Sequence, residues 1–160
     1  MLLGKVLAEA AVFQNKFVTW LPAYGPEVRG GTAHCMVIIS DDEIGSPHVD
    51  KADTLIIMNQ ASLTRFRNRL KPKGLIVVNS SLADPKSNTG VKLISGKFTD
   101  IALSLGNIKV ANMVALGGYI ASKKIIVPEN IEKAMEKMAP KNQPELLKIN
   151  LKALKKGMDL

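Results

Sequence analysis

Between Met1 and Asn15 the apolar positions Leu3, Val6, Leu7, Ala10, Ala11 and Phe13 recur at helical spacing, which predicts a helix with a wide apolar stripe. Lys16 to Pro22 reads as a short strand, and Tyr24 to Thr32 as a Gly/Pro loop. Ala33 to Ser40 follows as a strand. Its run Met36-Val37-Ile38-Ile39 is apolar at consecutive positions, so both faces are expected to be buried. Asp41 to Lys51, with Gly45 and Pro47, is a turn region. Thr54 to Asn59 (TLIIMN) repeats the doubly apolar strand pattern. Gln60 to Leu70 is a helix with Leu63, Phe66 and Leu70 inward, broken at Lys71-Pro72-Lys73-Gly74. Leu75 to Asn79 (LIVVN) is then a third central strand. Strand, helix and strand with a Pro-Gly break make a βαβ unit, whose crossover is expected to be right-handed.

Val91 to Ile94 adds a strand, and Thr99 to Leu105 a helix or helical turn. Asn107 to Val110 leads into a helix through Ala111 to Ser122, with Gly117-Gly118 inside it as a place for close backbone packing. Ile125 to Val127 is short and extended. Pro128 opens a helix at its first position, with Ile131, Met135 and Met138 as its stripe and Pro140 as its end. A last helix spans Pro144 to Gly157, with Leu147, Leu151 and Leu154 on one face. The expected fold is α/β, with helices in layers on both sides of a doubly wound, mostly parallel sheet. The expected organisation is one domain over 1–160, its C-terminal helices 128–157 packing on it or on a partner. Doubly wound folds normally open with a strand and a Gly-rich turn, whereas this chain opens on the helix. The usual first strand is therefore expected to be missing, leaving a sheet edge for another chain or implying an upstream strand.

Composition narrows the classes. A 160-residue chain with 46% hydrophobic and 22% charged residues is globular rather than disordered. Aromatics are only 4%, which disfavours base stacking as a mode of action. The 22 Lys and Arg against 14 Asp and Glu give a net charge of +8, spread along the chain, and charge alone does not make a nucleic-acid binder. With one cysteine, Cys35, the chain can form no internal disulfide, no multi-thiolate zinc site and no iron–sulfur cluster of its own. No run is long and apolar enough for a transmembrane helix and no signal peptide is seen, so the expected setting is the cytoplasm, without membrane or nucleic acid as partner.

Nucleotide motifs are missing. No G-x-G-x-x-G follows a strand, and Gly31 stands where a P-loop beginning at Gly25 needs Lys. His34 and Cys35 are neighbours on a strand and point to opposite faces, so they cannot easily share a metal or act as base and nucleophile. Cys35 is read as structural, and His48 completes the histidines. The richest segment is Tyr24-Gly25-Pro26-Glu27-Val28-Arg29-Gly30-Gly31-Thr32. Gly30-Gly31 frees the backbone, and the Arg29 guanidinium can fork onto a carboxylate or phosphate. A rigid connector with a local Glu27–Arg29 contact explains the same residues, and both readings stand at this level. Arg65, Arg67, Arg69, Lys71 and Lys73 form a basic run without an acid, either a solvated helix face or a contact for an acidic partner or phosphorylated ligand. Lys148, Lys152, Lys155 and Lys156 make a second basic face on the last helix.

The segment YGPEVRGGTAHCMVIISDDEIGSP (Tyr24 to Pro47) strongly resembles the gamma subunit of 2-oxoacid:ferredoxin oxidoreductases. LLGKVLAEAA (Leu2 to Ala11), ADTLIIMNQ (Ala52 to Gln60), Asn79-Ser80 and KVANMVALGGYIA (Lys109 to Ala121) agree in the same order. The resemblance implies an α/β three-layer subunit, inert alone, packed beside a thiamine site. The assembled enzyme converts a 2-oxoacid, coenzyme A and oxidised ferredoxin into an acyl-CoA, carbon dioxide and reduced ferredoxin. Thiamine diphosphate and iron–sulfur clusters would lie mainly on alpha, beta and ferredoxin-like delta subunits, so this chain is expected to bind no cofactor alone and to carry no catalytic residue. EVRGGT and EIGSP look most like the 2-oxoglutarate type, with the branched-chain type close and pyruvate less so. Family members resemble G-x-G-G-Q-G just before LLGKVLAEAA, a turn not seen ahead of Leu2 here. The expected contact loop is Tyr24, Gly25, Pro26, Glu27, Arg29, Gly30, Gly31 and Thr32, with strand-end contacts at Asn59, Asn79 and Ser80 and a basic face at Arg65, Arg67 and Arg69. The competing class is a stand-alone anion-binding or subunit-interaction module without a redox role.

Overall fold

A computed structural model describes residues 1–25, 33–85, 90–140 and 142–160. In chain order the elements are α1 (Leu2–Phe13), β1 (Phe17–Tyr24), β2 (Ala33–Ser40), β3 (Ala52–Ile57), α2 (Gln60–Phe66), β4 (Leu70–Asn79), β5 (Lys92–Gly96), α3 (Phe98–Ser104), α4 (Ala111–Lys123), α5 (Pro128–Met138) and α6 (Pro144–Met158). Short 3-10 turns at Arg67–Arg69 and Ile108–Val110 precede β4 and α4. The chain forms two compact units, each drawn from two stretches. The first takes Met1–Val49 and Ile125–Asn142, the second Asp50–Lys124 and Gln143–Leu160.

In the first unit, α1 buries Gly4, Val6, Leu7, Ala8, Ala10 and Ala11, as the stripe predicts, while Phe13 at its end is 40% exposed. The helix stops where Asn15 takes a left-handed φ of 56°, a conformation Asn tolerates through its short polar side chain. β1 and β2 then pair antiparallel, from Phe17 opposite Ser40 to Tyr24 opposite Ala33. A parallel pairing needs a crossover of about a dozen residues, and residues 25–32 are too few. Only the second unit's sheet is therefore parallel. One face of the ribbon, with Trp20, Cys35 and Val37, lies against Gly4 of α1. A Cβ on Gly4 would sit 2.4 Å from Cys35 Sγ, so helix and ribbon meet closely because that residue is glycine. The expectation that Ala33 to Ser40 is buried on both faces is not met: β2 is nowhere better than half-buried. Among the described residues its ribbon has only two strands, and an apolar run reports affinity for a core, not the number of neighbours that cover it. α5 packs along α1, helped by a Lys137–Glu9 ion pair. Gln14 clasps the segment before α5 from both ends of its amide: Nε2 donates to Ile125 O (3.1 Å), and Oε1 accepts from Val127 N (2.8 Å).

In the second unit the order is β3-β4-β5, all parallel. β4 is central, and Leu75, Ile76, Val77 and Val78 are at most 2% exposed. β3, read as doubly buried, is half-buried from Thr54 to Ile56 and buried only at Ile57, because it lies at the edge of this sheet. Lys71 to Gly74 does not lie outside the strand. It forms a bulge within β4: Ala52 pairs with Leu70 and Thr54 with Leu75, while Lys73 adopts a φ of 60°. Helices cover both faces of the sheet. Leu63 of α2 packs with Ile57, Ile76 and Val78 on one face. On the other, Gly118 of α4 faces Ile94, the register partner of Val77. This is the three-layer α/β/α arrangement expected from the sequence.

α6 lies on α4, so the two C-terminal helices go to different units. The α4–α6 contact is very close. A Cβ on Gly117 would lie 2.1 Å from Leu154 O, and one on Gly157 would lie 2.0 Å from Val114 O. Two glycines, one per helix, let the backbones touch.

Candidate functional site

Open parallel α/β sheets bind ligands beyond the carboxyl ends of their strands. In the second unit those ends carry Asn59, Asn79, Ser80 and Gly96. Asn59 takes extended dihedrals and its side-chain oxygen accepts from Ser62 N at 2.9 Å, capping α2. Gln60 turns outward to a neighbouring loop: its N donates to Leu82 O (3.0 Å), and its Oε1 accepts from Asp84 N (2.8 Å). Gln60, Ser80, Leu82, Ala83, Asp84 and Pro85 line an open cleft of about 400 Å³.

Asn79, the residue before Ser80, is fully buried. Its Nδ2 donates to Thr99 Oγ1 (2.8 Å) and to Met58 O (3.3 Å). Its Oδ1 accepts from Thr99 N (3.2 Å) and Ser81 N (3.4 Å). One amide thus ties the end of β4 to the segment after β3 and to the first turn of α3. Asn79 is a lock on the end of β4, and Ser80, whose N donates to Gly96 O at 2.9 Å, is the strand-end residue that reaches the cleft. The sequence reading missed Gln60, Ser81 and Thr99. The available signal was a run of polar residues directly after each apolar strand.

The basic run lies at the opposite end of the same sheet, because α2 starts at the carboxyl end of β3 and delivers the chain to the amino end of β4. Arg65, Arg67 and Arg69 are all exposed. Arg65 and Arg69 both stand over the Phe66 ring, Cζ 5.6 and 5.8 Å from its centroid. The fold supplies the acid that the run itself lacks: Lys71 Nζ is 3.0 Å from both carboxylate oxygens of Asp53. Lys51 Nζ donates to Asn68 O at 2.6 Å. Burial pushes the Tyr119 hydroxyl up to about 12, and the Asp53 carboxylate adds to the effect.

In the first unit Tyr24 ends β1 with 71% of its surface exposed, and Gly25 follows half-buried. Pro26, Glu27, Arg29, Gly30, Gly31 and Thr32 lie outside the described residues. Cys35 faces α1 from the ribbon, while His34 is on the other face, so the structure keeps the two apart. Lys148, Lys152, Lys155 and Lys156 are exposed along α6. Among the described residues no three His, Cys, Asp or Glu side chains come together as a metal site. No helix of the described chain is long and apolar enough to cross a membrane.

The fold and the strand-end cleft are those of an α/β protein, and comparison with known proteins gives its family. The chain belongs to the family described as pyruvate ferredoxin/flavodoxin oxidoreductase, which it matches over residues 1–160. It is 33% identical over 157 residues to the ketoisovalerate oxidoreductase subunit VorA of Methanothermobacter marburgensis, covering 98% of this chain and 33% of that protein. It is also 33% identical to the 2-oxoglutarate synthase subunit KorC of Methanocaldococcus jannaschii, covering 100% of this chain and 86% of that one. The crystal structure of the keto/oxoacid ferredoxin oxidoreductase gamma subunit of Geobacter sulfurreducens superposes with a TM-score of 0.83 at 29% identity, covering 99% of this chain and 88% of that one. The chain thus spans about a third of the length of VorA but most of KorC and of the gamma subunit.

Proposed function

We propose that this chain is the gamma subunit of a cytoplasmic 2-oxoacid:ferredoxin oxidoreductase, a multi-subunit enzyme that decarboxylates a 2-oxoacid, transfers the acyl group to coenzyme A and passes the electrons to ferredoxin. The observation that carries the reading is the match to a gamma subunit over nearly the whole of both chains. The chain's residues do not fit an iron–sulfur cluster, because its single cysteine, Cys35, packs against α1. No electron-transfer step is therefore assigned to this chain. Its work is to complete an assembly in which alpha, beta and delta subunits hold thiamine diphosphate, the clusters and the coenzyme A chemistry. The expectation of the 2-oxoglutarate type is not singled out, since ketoisovalerate and 2-oxoglutarate relatives share the same 33% identity.

The Tyr24–Thr32 loop is proposed as the contact between this chain and the subunits beside the active site. The exposed Tyr24 at its base supports this, since a bare aromatic at a loop root offers rigid contact area at little entropic cost. Arg29→Ala is expected to lower turnover of the assembled enzyme about tenfold or more while leaving the circular dichroism of the chain unchanged. Unchanged turnover and assembly would return the loop to a mere connector. The function itself is tested by purifying the chain with its co-expressed subunits and assaying 2-oxoglutarate, branched-chain 2-oxoacids and pyruvate. The complex should reduce ferredoxin with at least one of them and the isolated chain with none. Turnover by the isolated chain would overturn the proposal.

A further inference from the structure

We infer that Arg65, Arg69 and the Phe66 ring beneath them anchor a persistent interface with an acidic surface of a neighbouring subunit. The inference rests on the proposed subunit role for the existence of that neighbour, and on the second unit's geometry for the rest. Position comes first. The cluster lies at the amino ends of the parallel strands, opposite the cleft lined by Gln60, Ser80 and Asp84. Small-molecule ligands of open α/β sheets occupy the carboxyl ends, so a free phosphorylated ligand is not the occupant expected here. Chemistry comes second. Both guanidinium groups stand over one ring, at 5.6 and 5.8 Å, and both side chains are exposed. Both lie within cation–π range of the ring, which restrains the guanidinium groups, so less rotamer freedom is lost on binding. Arg and aromatic residues are enriched at the energetic centres of interfaces, while Lys is depleted there.

The surrounding charge sets the sign of the partner. Arg67, between the two in sequence, and Lys51, whose Nζ donates to Asn68 O, add positive charge, and Asp53 is engaged by Lys71. A carboxylate-bearing protein surface matches that field and that fork geometry. A single-stranded nucleic acid wants open aromatic faces, and Phe66 is half-buried with guanidinium groups above it.

The test titrates the full-length chain onto the remaining co-purified subunits at about 150 mM salt and again at several-fold higher salt. Association should weaken as salt rises. R65E/R69E should weaken it at least about 30-fold, with the circular dichroism and melting temperature of the free chain unchanged. K152E/K156E, the same charge change on the exposed face of α6, should leave association within about twofold. R65K/R69K keeps the charge but loses the fork and the stack, and should weaken association about tenfold. That variant carries the test should the reversal unfold the chain. Wild-type association by R65E/R69E, or equal losses in R65E/R69E and K152E/K156E, would overturn the inference. So would intact assembly with only ferredoxin reduction lost, which would make the cluster a site for the electron acceptor, or with only nucleic-acid retention lost. Failure of the wild-type chain itself to associate would instead remove the subunit reading, and the inference with it.

Discussion

Replacing Gly117 by Ala tests how the second unit is held together. The added Cβ would lie 2.1 Å from Leu154 O, 2.8 Å from Met158 N and 2.9 Å from the Gly157 carbonyl carbon. All three are backbone atoms of α6 and cannot rotate away. An ordinary carbon–oxygen contact is about 3.2–3.5 Å, so α4 and α6 must separate by about 1 Å. That gap opens beside Val114, Ala153 and Leu154, each at most 1% exposed. A gap of 0.5–1 Å forfeits roughly a quarter to a half of each dispersion contact, and overpacking typically costs about 1–3 kcal/mol. Ala offsets about 0.5–1 kcal/mol of this by stiffening the unfolded chain. The net expectation is a loss of about 0.5–2.5 kcal/mol, or roughly 1–10 °C in melting temperature for a chain of this size. Gly118→Ala is the control. Its Cβ would meet Gly157 O and Ile94 Cγ2, both at 3.6 Å, which are ordinary contacts. That variant should be neutral or up to about 1 kcal/mol more stable. Urea denaturation should therefore lower the midpoint for Gly117→Ala and leave it unchanged or raise it for Gly118→Ala. A Gly117→Ala protein as stable as wild type, or a Gly118→Ala protein as damaged as Gly117→Ala, would refute the close-crossing argument.

Asn79→Ala strands the buried Thr99 N and hydroxyl without partners and should cost about 2–4 kcal/mol, read by denaturation midpoint. Asn79→Ala with Thr99→Val should lose less than the sum of the two single changes, because the two side chains act on one network. For Tyr119 the sign follows from proton binding. The folded hydroxyl titrates near 12 and the unfolded one near 10, so the folded state holds the proton more tightly. That contribution, about 3 kcal/mol from the two-unit difference, is fully present below pH 10 and is lost as pH rises through 12. Tyr119→Phe should flatten the fall in stability across that window, and an unchanged alkaline melting curve would exclude burial of the hydroxyl as its source.

The path from β3 through α2 to β4 was legible because apolar strand runs and a helical stripe each report a local preference and agree with a parallel crossover, whereas Lys71 to Gly74, read as a break, lies inside β4 as its bulge. Gly117 was legible as a packing glycine because helix interiors disfavour Gly unless something needs the space. Its counterpart Gly157 was read only as a helix end, since a single sequence does not say which helix meets which. Burial was the weakest inference. Met36 to Ile39 and Leu75 to Val78 look alike as sequences, yet only the second run is central in its sheet and fully covered. Asn79 shows the same limit at the site. A polar residue ending an apolar strand reads as a ligand contact, but the structure gives it Thr99, twenty positions on, as a partner, and the amide becomes part of the frame.

The interleaving of the two units also fixes the order in which they can be finished. α1 and β1 are made well before α5, which packs on α1 and follows it by more than a hundred residues. The Glu9–Lys137 pair closes a loop of 128 residues. The second unit, begun inside that loop, in turn waits for α6 to cover the glycine face of α4. Neither unit can therefore mature as a simple N-terminal or C-terminal half, and no single cut in the chain separates one intact unit from the other. Nascent chains stalled before Pro128 would leave uncovered the side of α1 on which α5 packs, and those stalled before Pro144 the side of α4 on which α6 packs. The folding of this protein is on that account a late, whole-chain event, with long-range closure rather than local structure setting its pace.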